Sequence, residues 1–286
     1  MIQLTNDNLA VTINEKGAEL QSLQLNNLEY LWQANAAYWP KHSPVLFPIV
    51  GELKDGKYIF NNKEYRLPRH GFARDKTFTA EQTSAASVML TLKSDAETEK
   101  VFPFQFVFRV EYALNAAELS CTYYVENAGA DTMYFSVGGH PAFNVPLVKD
   151  LKYNDYALEF NKDESLHSYL LHKGLTGNET EEIKLDNKTL QLQHSLFYTD
   201  AIVLKNIKSN EIKLFTGKNE HGLKFKFNDF PYFGIWAAVD APFVCLEPWC
   251  GIADSIHHNH QLINKEGINK LPAGEKWQRS WSVELF

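Results

Sequence analysis

Phe106-Val107-Phe108-Arg109-Val110-Glu111-Tyr112-Ala113-Leu114 and, after Asn115-Ala116-Ala117, Leu119-Ser120-Cys121-Thr122-Tyr123-Tyr124-Val125-Glu126 decide the fold class of this chain. In both runs every second residue is apolar: Phe106, Phe108, Val110, Tyr112 and Leu114 going out, Leu119, Cys121, Tyr123 and Val125 coming back. Successive strand side chains point to opposite faces, so this spacing predicts a long antiparallel hairpin with one face buried. The same alternation returns in Leu223-Lys224-Phe225-Lys226-Phe227 and, at the end of the chain, in Arg279, Trp281, Val283 and Leu285. Asn26-Asn27 and Asn61-Asn62 suit shorter hairpins, because Asn tolerates the positive φ of tight turns.

Helical patterning is scarce. The best candidate runs from Ser94 to Lys100, with Ser94 as cap, Glu97 in the capping-box position and Phe102-Pro103 as the stop. The polar interval Leu171 to Asn187 reads as the most loop-like part of the chain. No Pro- or Gly-rich linker divides the sequence and no fixed period repeats. The expectation is therefore all-β: a single large antiparallel β-sandwich occupying residues 1–286 as one domain.

Bulk properties narrow the function. The 286 residues are 44% hydrophobic and 13% aromatic, enough for a large core. A net charge of −7 argues against binding nucleic acid or an anionic membrane through bulk charge. The N-terminal Met1-Ile2-Gln3-Leu4-Thr5 lacks a basic segment leading into an apolar one, and no apolar run is long enough to span a bilayer. A cytoplasmic location is expected. Cys121, Cys245 and Cys250 lie in apolar, strand-like surroundings and read as buried free thiols.

Three distant segments carry the chemistry: Arg69-His70-Gly71-Phe72, Gly138-Gly139-His140-Pro141 and Cys245-Leu246-Glu247-Pro248-Trp249. Glu247 ends an apolar run, where burial would raise its pKa and make it a better base near neutrality. Paired glycines before His140 permit close approach of a ligand, and Pro141 interrupts the ladder. Two imidazoles and a carboxylate beside aromatic residues suit acid–base work on a sugar ring. Other chemistries find less. His257, His258 and His260 have no companion ligand at a recognised zinc spacing, and their Asn-rich stretch reads as a solvated loop, so no metal is expected. No Gly-x-Ser-x-Gly turn or phosphate-cradling Gly-rich loop is present.

The strings Gly138-Gly139-His140-Pro141-Ala142-Phe143-Asn144, Pro242-Phe243-Val244-Cys245-Leu246-Glu247-Pro248-Trp249 and Arg69-His70-Gly71-Phe72-Ala73-Arg74 resemble the aldose 1-epimerase (galactose mutarotase-like) superfamily, most closely its LacX-type branch from lactose operons. The resemblance covers nearly the whole chain. It implies a twisted antiparallel super-sandwich with a cleft on its concave face, His140 as general acid, Glu247 as general base, and His70 and Asp200 as sugar-binding residues. The activity implied is cofactor-independent interconversion of hexose anomers. Trp249, Phe143 and Trp236 would offer flat faces to the ring. Arg74 matches an arginine of the family's sugar-phosphate epimerases, which keeps a phosphorylated hexose open as substrate. Glu52 stands where galactose mutarotases carry an arginine, so galactose itself is open to question. The partner implied is a small sugar, with the protein a monomer or homodimer.

Two other functions use the same residues: a non-catalytic sugar-binding or sensing protein, and a glycoside hydrolase pairing Glu247 with Asp200 or Asp240. The epimerase reading requires a protonated His140 and Glu247 to face each other across a pyranose-sized gap.

Overall fold

The computed structural model describes residues 1–286. The predicted hairpin is present as strands Phe106–Asn115 and Glu118–Asn127, turning at Ala116, and its apolar positions from Phe106 to Tyr112 and from Leu119 to Val125 are buried. It occupies the middle of a nine-stranded sheet. In spatial order the strands are Thr189–Gln191, Tyr156–Phe160, Glu211–Thr216, Leu223–Lys226, Lys276–Leu285, Glu118–Asn127, Phe106–Asn115, Ser87–Lys93 and Thr79–Ser84. A second sheet runs Leu175–Lys184, Ser165–His172, Ile202–Lys205, Tyr232–Trp236, Phe243–Cys250, Val137–Gly139 and Val45–Leu46. Its pairings are antiparallel throughout, and Ala142–Asn144 also pairs with Phe243–Cys250.

Aromatic residues close the space between the sheets. Phe108 stacks on Phe47 at 4.4 Å, Phe227 meets Phe233 at 4.2 Å and Trp281 stacks on Phe225 at 5.1 Å. The buried Trp281 indole N–H donates to the Tyr123 hydroxyl at 2.9 Å, which satisfies a polar group that would otherwise be costly there. A smaller apolar cluster of Leu46, Val50, Val203, Trp249 and Ile252 lies apart from this core. No helix is long and apolar enough to cross a membrane, and all three cysteines are free and buried.

Asn26-Asn27 and Asn61-Asn62 are turns with positive φ, each joining paired strands. The helix is Ala96–Val101, capped one residue later than expected. Asp95 accepts from the Thr98 N–H at 2.7 Å while the Thr98 hydroxyl accepts from the Asp95 N–H. Ser94 instead accepts from the Phe106 N–H, bracing the strand that follows.

The interval 171–187 is not loop. Leu175–Lys184 forms the edge strand of the second sheet, and much of it is exposed. Edge strands draw their order from ladder hydrogen bonds on one side, so alternation of apolar residues is not required of them. His258 also departs from the solvated-loop reading. It is buried against Asp254, while His257 is exposed and His260 pairs with Asp55 at 2.9 Å.

Candidate active site

Strand Phe243–Cys250 is buried along its whole length, and its alternation puts Cys245, Glu247 and Trp249 on one face. That face is prepared by its neighbour. Gly234 lies directly opposite Glu247, with Val203 opposite Gly234 one strand further on. A methyl group added at Gly234 would come within 2.5 Å of the Trp249 ring, so the missing side chain is the space the indole fills. Gly234→Ala is expected to push Trp249 off the cleft wall. A changed tryptophan emission together with a weaker apparent sugar affinity would report it.

On the other side of the same strand, Gly138 pairs with Trp249 and Ala142 pairs with Cys245 in one continuous register. His140 therefore falls opposite Glu247. Pro141, with no N–H to donate, sits where the ladder opens. His140 Nε2 and Glu247 Oε2 are 3.3 Å apart, with side chains only 11% and 3% exposed. The two groups touch, contrary to the expected ring-sized gap. The physical reason is strand register: directly opposed residues on one face of an antiparallel pair have Cβ atoms only about 4.5–5.5 Å apart.

His140 Nδ1 and Glu247 Oε2 are buried with no hydrogen-bond partner in the protein. Such atoms cost stability and mark where a polar ligand would be rewarded. Burial pushes the Glu247 carboxyl well above its usual range, with the Trp249 N–H acting in the opposite direction. Burial likewise drives the His140 imidazole well down, and Arg74 and Lys41 add to the effect. Within the protein alone both shifts favour the neutral forms of the pair.

His70 is held from behind. Its Nδ1 accepts from the Gly51 N–H at 3.1 Å and its own N–H donates to the Gly51 carbonyl at 2.9 Å, which leaves the ring proton on Nε2. Its ring stands edge-on to His140 at 5.7 Å. Burial, then His140 and two arginines, lower its pKa well below the ordinary value.

These histidines fix a pH dependence. Unfolded histidine takes up a proton near pH 6.5 while folded His70 and His140 do so only at lower pH, so the unfolded chain binds more protons in that window. Their contribution to stability is present above pH 6.5 and is lost as the pH falls below it. The melting temperature is expected to drop from pH 6.5 toward 4.5, and less steeply in a His70→Asn variant, as read by circular dichroism.

The cleft encloses about 370 Å³ and is lined by His70, Arg74, His140, Asp200, Trp236, Glu247 and Trp249, all expected site residues. Asp200 accepts from the Ala201 N–H at 2.8 Å. Trp236 meets His140 edge-on at 5.7 Å.

Phe143 is the exception. It is fully buried and faces Phe225 at 6.0 Å in the core, because alternation along Ala142–Asn144 turns it away from the cleft. Trp39, which lines the cleft and stacks on His140 at 4.9 Å, presents an aromatic face there instead. Trp39 and Lys41 come from an irregular segment with no periodic signal; a tryptophan in a polar stretch was the one hint available. Glu52 also lines the cleft, paired with Arg69 at 2.8 Å, and so do Gly174 and Thr176 from the interval read as loop. Asp240 does not line it and accepts from the Tyr198 hydroxyl at 2.8 Å.

His140, Cys245 and Glu247 offer three ligand atoms within 4.8 Å of one another. A metal bound there would have to displace protons that burial holds on the Cys245 thiol and the Glu247 carboxyl.

The paired antiparallel sheets are the fold of the galactose mutarotase-like class of proteins. More specifically, the chain belongs to the aldose 1-epimerase family, whose sequence profile matches residues 1–281. It is 36% identical to the plasmid-encoded protein LacX of Lactococcus lactis subsp. lactis, over 100% of this chain and 99% of that one, which puts it on the LacX branch. Among solved structures, a galactose mutarotase related enzyme from Lactobacillus acidophilus superposes with a TM-score of 0.95 at 34% identity, covering 100% of this chain and 97% of that one. A galactose mutarotase-like protein from Lactobacillus casei ATCC 334 gives 0.92 at 32% identity, covering 100% of both chains.

Proposed function

We propose that this protein is an aldose 1-epimerase that interconverts the α and β anomers of a hexose by acid–base opening and closing of the ring, without cofactor. The observation that carries the reading is the contact between His140 and Glu247, cross-strand neighbours at 3.3 Å whose free polar atoms lack protein partners.

In the proposed cycle, hydrogen bonds donated by the O1 hydroxyl and the Trp249 N–H favour ionised Glu247, so the Glu247 carboxyl gives its proton to His140 and becomes the carboxylate. Glu247 then removes the proton from O1 and His140 protonates O5, so the C1–O5 bond breaks and C1 becomes an aldehyde. Rotation about C1–C2 presents the other carbonyl face, and the reverse transfers close the ring. Opening leaves a protonated Glu247 and a neutral His140, the distribution that burial favours, so the protein's interior supports the open form. Each placed proton-transfer group typically contributes on the order of 10²–10⁴-fold. His70 and Asp200 hold hydroxyls, with Trp39, Trp236 and Trp249 packed against the ring.

One observation favours a phosphorylated hexose as a second reading. Lys41 and Arg74 both act on His140, Arg74 Nε is buried without a hydrogen-bond partner, and the Arg74–Asp75 contact is a long 3.8 Å. Polarimetry on a panel of free and 6-phosphorylated hexoses separates the substrates. Anomer exchange faster than the spontaneous rate supports the epimerase. Tight sugar binding by calorimetry with no acceleration for any sugar would instead identify a sugar sensor on this fold.

A further inference from the structure

The cleft wall carrying Glu52 and Thr176 is fastened from behind by an ion pair that solvent does not reach. Lys265 Nζ lies 2.8 Å from Asp254 Oδ1, and both side chains are 0% exposed. The second carboxylate oxygen, Oδ2, accepts from the Lys54 N–H at 2.9 Å and lies 3.2 Å from His258 Nδ1. Burial alone would raise this carboxyl, yet His258, Lys265 and the Lys54 amide bring it down to about 2.

The main chain of Asp254 is engaged just as fully. Its N–H donates to the Glu52 carbonyl at 2.9 Å, and its carbonyl accepts from the Thr176 N–H at 2.9 Å and the Thr176 hydroxyl at 3.3 Å. Ile252 and Ala253, immediately before it, line the cleft. Glu52 in turn follows Gly51, the residue that exchanges hydrogen bonds with His70. A short bonded path therefore leads from the buried pair through Glu52 and Gly51 to His70. The same Glu52 holds Arg69 at 2.8 Å.

A buried ion pair is a poor device for stability alone, since apolar residues of similar volume often do as well, whereas removing one partner leaves an uncompensated charge. Its geometric strength is that one carboxylate fixes several donors at once.

We propose that Asp254 and Lys265 are positioning residues for the sugar site, locking the segment from Gly51 to Glu52 and through it the place and tautomer of His70. This rests on the epimerase reading only for its kinetic consequence. Neither residue touches the cleft; they act through the backbone that Asp254 bonds.

The test compares wild-type protein, Lys265→Met and the charge-neutral Asp254→Asn/Lys265→Met. Long-range ¹H–¹⁵N NMR of the imidazoles, with the His70 signal assigned by its loss in His70→Gln, reads the tautomer directly. Wild-type His70 is expected as the Nε2–H form. Lys265→Met is expected to lose that single form, to raise KM for the hexose about tenfold and to change kcat by less than about threefold, the pattern of lost positioning. The double variant is expected to recover both signals. Should Lys265→Met fail to fold, the nearly isosteric Asp254→Asn takes its place with the same outcomes.

A lowered melting temperature with the His70 signal or KM unchanged would mean the pair only stabilises, and the proposal would be overturned. If the wild type accelerates no anomer exchange, the epimerase reading fails, and the NMR comparison, which needs no substrate, still decides the positioning role.

Discussion

Glu247→Gln is expected to reduce catalysed anomer exchange by about 10²–10⁴-fold while making the protein more stable at neutral pH. The amide keeps the shape of the side chain but cannot take the proton from O1. The stability change follows from the carboxyl's environment. Unfolded Glu ionises near pH 4.5, whereas folded Glu247, buried to 2% exposure, holds its proton to higher pH. Between those two values the native state binds the extra proton, so stability falls as pH rises through the window. The variant lacks this loss, and its advantage in melting temperature should be small below pH 4.5 and should widen above it. Polarimetry and thermal melts from pH 4 to 8 measure both effects. A variant less stable than wild type at pH 7 would mean that Glu247 is ionised against a protonated His140.

The second large effect is expected from Gly71→Ala. Gly71 has φ of 71°, and the preceding His70, at 65°, is already in the left-handed region. A Cβ at position 71 would lie 2.3 Å from the Phe47 carbonyl oxygen and 2.6 Å from its carbon. That carbonyl cannot retreat, because it accepts from both the Phe72 and Ala73 N–H groups, at 3.0 and 3.1 Å. A left-handed non-glycine residue costs roughly 1–2 kcal/mol and forced overpacking about 1–3 more. A loss of about 2–5 kcal/mol corresponds to a fall of roughly 3–8 °C in melting temperature for a chain of this size. His70 would shift with its neighbour and the apparent sugar affinity would weaken. A melting temperature within about 2 °C of wild type would refute the close approach.

The parts of this protein that could be read from its residues were those with local causes. Alternation from Phe106 to Val125 needs only the two-residue repeat of a strand and one buried face, and it predicted the hairpin together with its turn. Asn pairs at 26–27 and 61–62 carried their own turn signal. Where two local solutions competed, the reading slipped by one residue: Ser94 and Asp95 are both good caps, and the carboxylate at 95 took the role. The edge strand Leu175–Lys184 gave no alternation because little of it is packed on a core. Phe143 was misassigned because a three-residue strand is too short to show which face is which.

By itself the sequence determined an all-β chain, the candidate site residues and the polarity of their surroundings, since strand periodicity, residue chemistry and burial tendency are properties of short segments. Only the tertiary structure decided that His140 stands opposite Glu247 at 3.3 Å, that Trp39 rather than Phe143 lines the cleft, and that an unexposed Asp254 and Lys265 brace the wall behind His70. Those facts depend on strand register and on contacts between segments more than a hundred residues apart, such as His140 and Glu247. Only closure of the two sheets specifies them, because that packing sets which backbone groups meet and which charges lose their water.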